Sequence, residues 1–323
     1  MTIDMTQEST DIMYMRRCLQ LARCGMANAK PNPMVGAVIV AQDRIIGEGY
    51  HVRCGEGHAE VNAFASVREE DAPLLHEATV YVSLEPCSHF GKTPPCADLI
   101  IKKGVRRVVV GCIDPFSKVQ GRGIKKLQDA GIEVTVGVLR EECEALNRRF
   151  FTCNTLNRPY ITLKWAQTAN GFLDDGGKAI AISTPFTQML VHKLRSECDA
   201  IAVGRTTDER EHPRLDVRHW GGKSPLRLVI SRENPLLNGI DFTRPVIPQL
   251  MQWLLSRHCQ SLLVEGGAFT LQSFLDADCW DEIRIETAPT TVLSGTKAPA
   301  LPEKAKLKEQ KTYDGNTIQI YTK

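Results

Sequence analysis

The stretch Glu85-Pro86-Cys87-Ser88-His89-Phe90-Gly91-Lys92-Thr93-Pro94-Pro95-Cys96, read with His58-Ala59-Glu60 upstream, decides the fold of the first half of the chain. Two thiolates and an imidazole are borderline-soft donors that suit Zn²⁺. Three protein ligands, His58, Cys87 and Cys96, leave the fourth tetrahedral position open, which marks a catalytic ion and not a structural one. Zinc lowers the pKa of a coordinated water to about 7, and Glu60, two positions from His58, is placed to carry its proton. The insert Ser88–Pro95 carries Gly, Lys, Thr and two Pro. It reads as a loop at the mouth of the site, with Lys92 available to bind an anion. Pro95 begins the next helix, with Cys96 in its first turn.

The order His-x-Glu, then Pro-Cys, then Cys is that of hydrolytic zinc deaminases, in which the Glu takes a proton from water and passes it to a leaving amine. Here eight residues separate the two Cys, where the common form has two. At 323 residues the chain is long enough for two domains with separate cores. Hydrophobic content of 42% and charged content of 24% are ordinary for a globular protein. A net charge of +2 provides no broad basic surface, so nucleic acid is not expected as a partner. Apolar runs such as Met34–Ala41 are too short to span a bilayer, so no membrane partner is expected either. The first residues, Met1 to Asp11, are polar and partly acidic, unlike a secretory leader. The eleven Cys are odd in number and irregular in spacing, which points to a cytoplasmic protein with mostly free thiols. Cys18, Cys24, Cys54, Cys112, Cys143, Cys153, Cys198, Cys259 and Cys279 read as buried small hydrophobes.

Residues 12–24 have helical spacing, with Gly25 as a stop. Pro31-Asn32-Pro33 bends the chain into a buried strand at 35–40. A hairpin across Gln42-Asp43 leads to a second strand at 45–49. His58 opens a helix to about Arg68, whose N-terminus would bring a positive dipole to the site. A strand over 78–84 feeds directly into Pro86-Cys87. Another over 107–112 carries Asp114-Pro115 at its carboxyl end, where open α/β sheets place their sites. Helices over 95–103, 123–130 and 140–149 and a strand over 133–136 complete an α/β/α sandwich.

These residues resemble the deaminase half of the bifunctional riboflavin-biosynthesis deaminase/reductase family. The resemblance rests on Pro31-Asn32-Pro33-Met34-Val35-Gly36, Gly57-His58-Ala59-Glu60, the Glu85–Cys96 stretch, and Asp114-Pro115 with Gly121-Arg122-Gly123. It implies a cytidine-deaminase-like domain over residues 1–152. In that domain His58, Cys87 and Cys96 hold zinc and Glu60 shuttles the proton, while Asn32, His51, Lys92 and Asp114 line the pyrimidine and ribose-phosphate pocket. The implied substrate is the phosphorylated pyrimidine 2,5-diamino-6-(5-phosphoribosylamino)pyrimidin-4-one, which loses its 2-amino group as ammonia.

After a junction at 150–158, strands are expected at 159–166, 199–203, 226–231 and 261–264. Thr184 reads as the N-cap, and Pro185 as the first-turn residue, of a helix to about Ser196. A further helix is expected over 248–258. Glu265-Gly266-Gly267-Ala268 then enters a helix over 269–275. Gly-Gly before a helix suits a dinucleotide phosphate, although such a pair is more often only a tight turn. There is no Gly-x-Gly-x-x-Gly fingerprint.

In context, residues 153–323 resemble the reductase domain of the same family, which has a dihydrofolate-reductase-like α/β fold and uses NADPH. The matching pieces are Leu163–Ala166, Ser183-Thr184-Pro185 with Arg195, Gly204 to Thr207, Pro213 to Arg218, and Leu263–Gly267. The resemblance implies hydride transfer to the ribose C1′ of the deaminated product, opening it to a ribityl chain. Arg195 and Arg218 would grip the substrate phosphate, with Leu215 and Glu265 against the substrate. Gln167, Ala181, Thr207, Glu211, Gly267, Ala268, Phe269 and Thr270 would meet NADPH. A homo-oligomer is implied in the same way.

Several positions depart from the family. Ala179 and Ala181 stand where it carries Ser and Trp, and Ala cannot replace the area of an indole. Glu211-His212 precedes Pro213 in place of an acidic pair or Asp-Asn, Asn170 replaces a loop Asp, and 231–246 is short by an expected strand and helix. These departures keep a second reading open, an active deaminase with a degenerate reductase-like domain that only binds or dimerises. A nucleic-acid base deaminase is disfavoured by the near-neutral charge and the lack of a basic-aromatic stripe.

Overall fold

The computed structural model describes residues 6–90, 94–116 and 120–323. The chain divides into two units, Met1–Asn157 and Arg158–Lys323. The division falls later than 152/153 because the junction is itself helical over Arg148–Leu156, ending at Asn157 with φ 50°.

In the first unit β1 (Gly36–Ala41), β2 (Arg44–Tyr50), β3 (Thr79–Leu84), β4 (Arg107–Cys112) and β5 (Glu133–Val136) form one sheet in the order β2-β1-β3-β4-β5. β1 is antiparallel to β2 and β3, whereas β3, β4 and β5 run parallel. Gln42 and Asp43 both have positive φ, 52° and 57°, the two-residue turn that matches the twist of the hairpin strands. β1 and β4 are buried at every position, which is why their sequences are apolar apart from Arg107, whose charge is paired with Asp11 at 2.7 Å.

One face of this sheet packs on α2 (Ala59–Ala65), α3 (Cys96–Lys103) and α4 (Arg122–Asp129) through Ala63, Phe64, Ala97, Ile100 and Leu127. The other packs on α1 (Gln7–Arg23) through Tyr14, Met15 and Leu19, and on α5 (Arg140–Leu146) through Cys143. α1 starts before residue 12 because Thr6 caps it, its hydroxyl accepting from Ser9 N at 3.2 Å. α2 stops at Ala65, and the chain continues as a 3₁₀ segment, Glu69–Glu77, around Pro73. The single helix expected over 140–149 is two, α5 and α6 (Arg148–Leu156). They meet at Asn147, whose amide bonds both the N–H and the C=O of Met34 at 2.8 Å.

The second unit is a seven-stranded sheet of β6 (Tyr160–Gln167), β7 (Ala200–Gly204), β8 (Leu226–Ile230), β9 (Ser261–Val264), β10 (Glu282–Thr287), β11 (Lys306–Tyr313) and β12 (Asn316–Thr322), ordered β11-β12-β10-β6-β9-β7-β8. The strands from β10 to β8 are parallel, and β12 and β11 extend the sheet antiparallel. α7 (Pro185–Glu197) covers one face through Leu194, with Cys198 just past its end. α9 (Val246–Leu255) and α10 (Ala268–Asp276) cover the other through Leu250, Leu254, Leu271 and Phe274. α8 (Arg205–Glu211) follows β7 directly. Thr184 and Thr187 close a reciprocal capping box at the start of α7, with Pro185 in its first turn.

Among the described residues, 231–245 holds only a short 3₁₀ turn, Pro235–Leu237, and no strand, which leaves β8 at the sheet edge. None of the eleven Cys is in a disulfide. Cys24 and Cys54 are exposed, and Cys153 and Cys279 are half-buried, contrary to the reading of all nine as core residues. Cys24 caps α1 and Cys54 lies in a surface loop, where no sheet covers them. Among the described residues no helix is long and apolar enough to cross a membrane.

Candidate active sites

β3 delivers Cys87 just past its carboxyl end, α2 begins immediately after His58, and α3 begins at Cys96. These three ends converge. Nδ1 of His58 lies 3.5 Å from Cys87 Sγ and 3.4 Å from Cys96 Sγ. The three donor atoms all lie within 4.8 Å of one another. Cys87 Sγ also accepts from Cys96 N at 3.3 Å, and Ala97 N donates to Cys87 O at 3.1 Å, so the start of α3 holds the thiolate. The neighbouring Cys96 thiol and, against the effect of burial, the His58 ring bring Cys87 down to about 4. Its bond to Cys87 and its own burial push Cys96 up.

Glu60 is 3% exposed and sits in the first turn of α2. Burial, then the charge of Cys87, pushes it up to about 6. Its Oε2 is buried without a hydrogen-bond partner. One imidazole, two thiols and a buried carboxylate with an unused oxygen fit a zinc ion with one open position.

Around this cluster Asn32 Nδ2 lies 3.1 Å from His51 Nε2, and His51 Nδ1 lies 3.1 Å from Gly57 O. A carbonyl only accepts, so Nδ1 carries the proton and Nε2 accepts from Asn32. Burial lowers the pKa of His51 and keeps the ring neutral. Its ring stands edge-on to His58, with centroids 5.4 Å apart. Asp114, past the carboxyl end of β4, is 8% exposed. Burial first, with Glu85 and Cys87 as further contributors, raises it to about 6. Lys92 lies outside the described residues. Sequence reading assigned no role to Glu85, yet its carboxylate accepts from four backbone N–H groups, those of Asp114, Gly121, Gly123 and Ile124. Its place between a buried strand and a metal-ligand Cys was the available signal.

In the second unit the expected residues fall into two groups. Thr207, Gly267, Phe269 and Thr270 line a cavity of about 790 Å³ past the carboxyl ends of β7 and β8, walled on one side by Phe242, Val246 and Ile247. Gln167, Ala181, Glu211 and Ala268 do not line it. Gln167 instead accepts from Trp165 Nε1 at 2.8 Å. Glu211, at the end of α8, is raised by burial and by the charge of Asp174. Gly266 lets the turn before α10 press on β7, since a Cβ there would lie 2.7 Å from Val203 Cα.

The second group is a buried charge cluster. Arg195 donates from Nε and Nη2 to Glu265 at 3.0 and 2.7 Å, and the pair is nearly buried. Burial alone would raise Glu265; the bonds from Arg195 and the charge of Lys164 bring it below the ordinary carboxylate value. Lys164, on β6, is lowered by burial, partly offset by Glu265 and Glu286. Arg218 pairs with Asp216 at 2.5 Å nearer the surface, and the Asp216 carbonyl accepts from Arg195 Nη1 at 3.3 Å, which joins this pair to the edge of the cluster. Leu215 is 3% exposed and packs with Leu194, Ile201 and Val203, with φ 54°. A bulky residue in the left-handed region is held there by such packing.

Ala179 and Ala181 are both exposed. Their segment is anchored by the two residues after Ala181. Ser183 Oγ donates to Glu286 Oε2 at 2.7 Å, and Asn316 Nδ2 donates to Ile182 O at 2.9 Å and to Glu286 Oε1 at 2.6 Å. Glu286 and Asn316 were missed because the sequence after residue 276 was not read as strands. The alternation of buried Ile283 and Ile285, and the turn Asp314-Gly315 with φ 48° and 83°, carry that signal.

Residues 8–112 match the family model for the cytidine and deoxycytidylate deaminase zinc-binding region, and residues 159–317 match that for the RibD C-terminal domain. The riboflavin biosynthesis protein RibD of Aquifex aeolicus is 38% identical over 319 residues, covering 88% of this chain and 88% of that protein. That of Actinobacillus pleuropneumoniae is 36% identical over 322 residues, covering 88% and 85%. A crystal structure of a diaminohydroxyphosphoribosylaminopyrimidine deaminase/5-amino-6-(5-phosphoribosylamino)uracil reductase from Thermotoga maritima is similar with a TM-score of 0.87 at 31% identity, covering 98% of this chain and 99% of that one. RibD of Acinetobacter baumannii is similar with a TM-score of 0.84 at 28% identity, over 98% and 99%.

Proposed function

The chain belongs to the RibD family of riboflavin-biosynthesis proteins, and on that premise we propose that its two halves catalyse successive steps on one phosphorylated pyrimidine. The first half removes the 2-amino group of 2,5-diamino-6-(5-phosphoribosylamino)pyrimidin-4-one by hydrolysis, releasing ammonia. The second reduces the ribosyl group of the product to ribityl with NADPH. The observation that carries this reading is the convergence of His58, Cys87 and Cys96 beside the unpartnered Oε2 of buried Glu60.

Zinc, when bound by those three residues, supplies an acidified water. Glu60 supports proton transfer because burial brings its pKa, about 6, near neutrality. It can accept a proton from water and return it to the departing amine. The Asn32 amide, held through Nδ2 by neutral His51, keeps Oδ1 for a donor on the pyrimidine edge. Asp114 serves the ribose side of the pocket, and Lys92 serves the phosphate.

NADPH, when bound, supplies the hydride for the second step. The walls of the cavity beside α10, with Thr207, Gly267 and Thr270, suit the cofactor, and the uncapped N-terminus of α10 offers N–H groups to its phosphates. Lys164 is a desolvated cation that feels the charges of Glu265 and Glu286, and it is suited to an anionic oxygen of the substrate. Arg195 keeps Glu265 ionised beside it, and exposed Arg218 is the phosphate-facing cation. Eleven Cys outside any disulfide support a reducing cytoplasm, and family membership supports assembly as a homo-oligomer.

The test is to follow ammonia release and NADPH oxidation separately on the zinc-loaded protein with the diaminopyrimidine phosphate. Both are expected. Ammonia without NADPH oxidation would remove the reductase assignment, and no ammonia would remove the substrate.

A further inference from the structure

We infer that Glu85 is a positioning residue for the deamination: it fixes the Asp114 loop in register with the turn that carries the metal ligand Cys87. The inference rests on the reading of Asp114 as a substrate contact.

Glu85 follows β3 directly, precedes Pro86-Cys87 and is 4% exposed. Its own N–H donates to Cys112 O at 2.9 Å, which continues the β3–β4 pairing beyond the strands. Its carboxylate then takes four backbone donors. Oε2 accepts from Asp114 N at 3.2 Å and Gly121 N at 2.9 Å. Oε1 accepts from Gly123 N at 2.9 Å and Ile124 N at 3.3 Å. One side chain therefore bonds both ends of the segment between β4 and α4, and Asp114 is at the first of those ends.

The fit is also steric. A Cβ on Gly123 would lie 2.0 Å from Pro86 O and 3.2 Å from Glu85 Oε1, so α4 starts directly on the backbone of the metal-ligand turn. Phe116 N donates to Asp114 Oδ1 at 2.8 Å and sets the direction of that carboxyl group. The Cys87 turn, the Asp114 loop and the start of α4 are thus one piece, with Glu85 at its centre.

A buried carboxylate with no cation is costly unless its lone pairs are used. Glu85 forms no ion pair among the described residues, and four N–H groups match its roughly four lone-pair sites. Gln has the same shape but carries an NH₂ in place of one oxygen. Two backbone donors would then face a donor, either Asp114 and Gly121 or Gly123 and Ile124, and the tie between the Asp114 loop and the start of α4 would loosen.

The experiment is Glu85→Gln in the full-length, zinc-loaded protein, with ammonia release measured across substrate concentration. KM is expected to rise by about tenfold or more while kcat changes much less, with zinc content unchanged. NADPH oxidation on the already deaminated substrate, in the same preparation, is expected to stay at the wild-type rate. A double-mutant cycle with Asp114→Asn is expected to be non-additive in KM, because both changes act on one contact. An unchanged KM, or an additive cycle, overturns the inference. If Glu85→Gln does not accumulate as folded protein, Glu85→Asp, which keeps four acceptor sites one methylene shorter, is measured in the same way. A wild-type KM in that variant overturns the inference too. If the wild-type protein itself releases no ammonia, it is the substrate assignment that fails.

Discussion

His58, Glu60, Cys87 and Cys96 come from two short stretches of the first unit and meet at the ends of one strand and two helices. Their counterparts in the second unit, Lys164, Arg195, Glu265 and Glu286, come from four places: β6, α7, the turn before α10, and β10. The first site is specified by ligand chemistry. Few residue types satisfy a soft divalent ion, so each position is strongly constrained. The second is specified by mutual neutralisation of buried charges, a task that several arrangements of Lys, Arg and Glu can perform. The two sites should therefore fail in different ways. Loss of a metal group should stop chemistry and leave the second unit intact, whereas loss of a buried charge should unsettle its own unit.

The largest effect expected is on the first site. A chelator that strips zinc is expected to abolish ammonia release and leave NADPH oxidation on the deaminated substrate unchanged. Glu60→Gln, with zinc content intact, is expected to lower kcat for ammonia release by about 10²–10⁴-fold. A parallel fall in NADPH oxidation would break the comparison, because the sites would then not be independent.

Arg195→Ala comes next. It leaves Glu265 buried without its bidentate partner, which should cost about 3–5 kcal/mol by urea unfolding of the second unit. The surface pair of Arg218 with Asp216 is a contrast: Arg218→Ala should cost less than about 1 kcal/mol and should instead raise KM for the phosphorylated substrate. The pH dependence has a definite sign. Glu265 in the folded protein lies below its ordinary value of 4.5, so its contribution is fully present above that value and is lost as pH falls through the folded pKa. Wild-type stability should therefore drop between neutrality and acid more steeply than that of Arg195→Ala. Equal slopes in the two proteins would show that the pair does not carry the acid sensitivity.

This contrast also governs what could be read from sequence. The His58, Glu60, Cys87 and Cys96 site was legible because two short stretches contain the whole chemistry. β1, β3, β4 and β9 were legible because strands buried along nearly all of their length are mostly apolar. Glu85 was visible but silent, since its partners are backbone N–H groups and any sequence supplies those. Arg195 and Glu265 were each named, but as separate substrate contacts. Their pairing depends on how α7 lies across the sheet, and spacing cannot reveal that. Leu215 was read as a substrate contact, and its place among Leu194, Ile201 and Val203, at a left-handed φ, could not be read from sequence. The half-polar strands β10 to β12 lack an apolar run and went unread, and with them Glu286 and Asn316.

Glu286 sharpens the comparison at a smaller scale. Ser183→Ala leaves Glu286 Oε2 without its 2.7 Å donor and should cost about 1–3 kcal/mol. Glu286→Gln keeps an acceptor for one partner only and should fall in the same range. Both should weaken NADPH binding, read by titration of cofactor fluorescence, and leave ammonia release alone. Unchanged cofactor affinity in both variants would mean that the 179–184 segment lies away from the cofactor.

The smallest effect is expected where sequence comparison raised the most concern. Ala181 is exposed, and its segment is held through Ile182 O and Ser183 Oγ, both beyond it. Ala181→Trp adds a ring on the surface without touching those bonds, so stability should change by less than about 0.5 kcal/mol. A ring that meets the nicotinamide is worth about 0.5–1.5 kcal/mol, so NADPH affinity should tighten by no more than about tenfold. A larger gain would mean that the indole is a missing part of the site and that the buried charges alone do not fix its geometry. The second unit would then resemble the first, with one side chain carrying most of the specification. A gain within that limit means that Glu286, Asn316 and Ser183 already do what the ring would have done, because the geometry is set by bonds on the buried side of the segment.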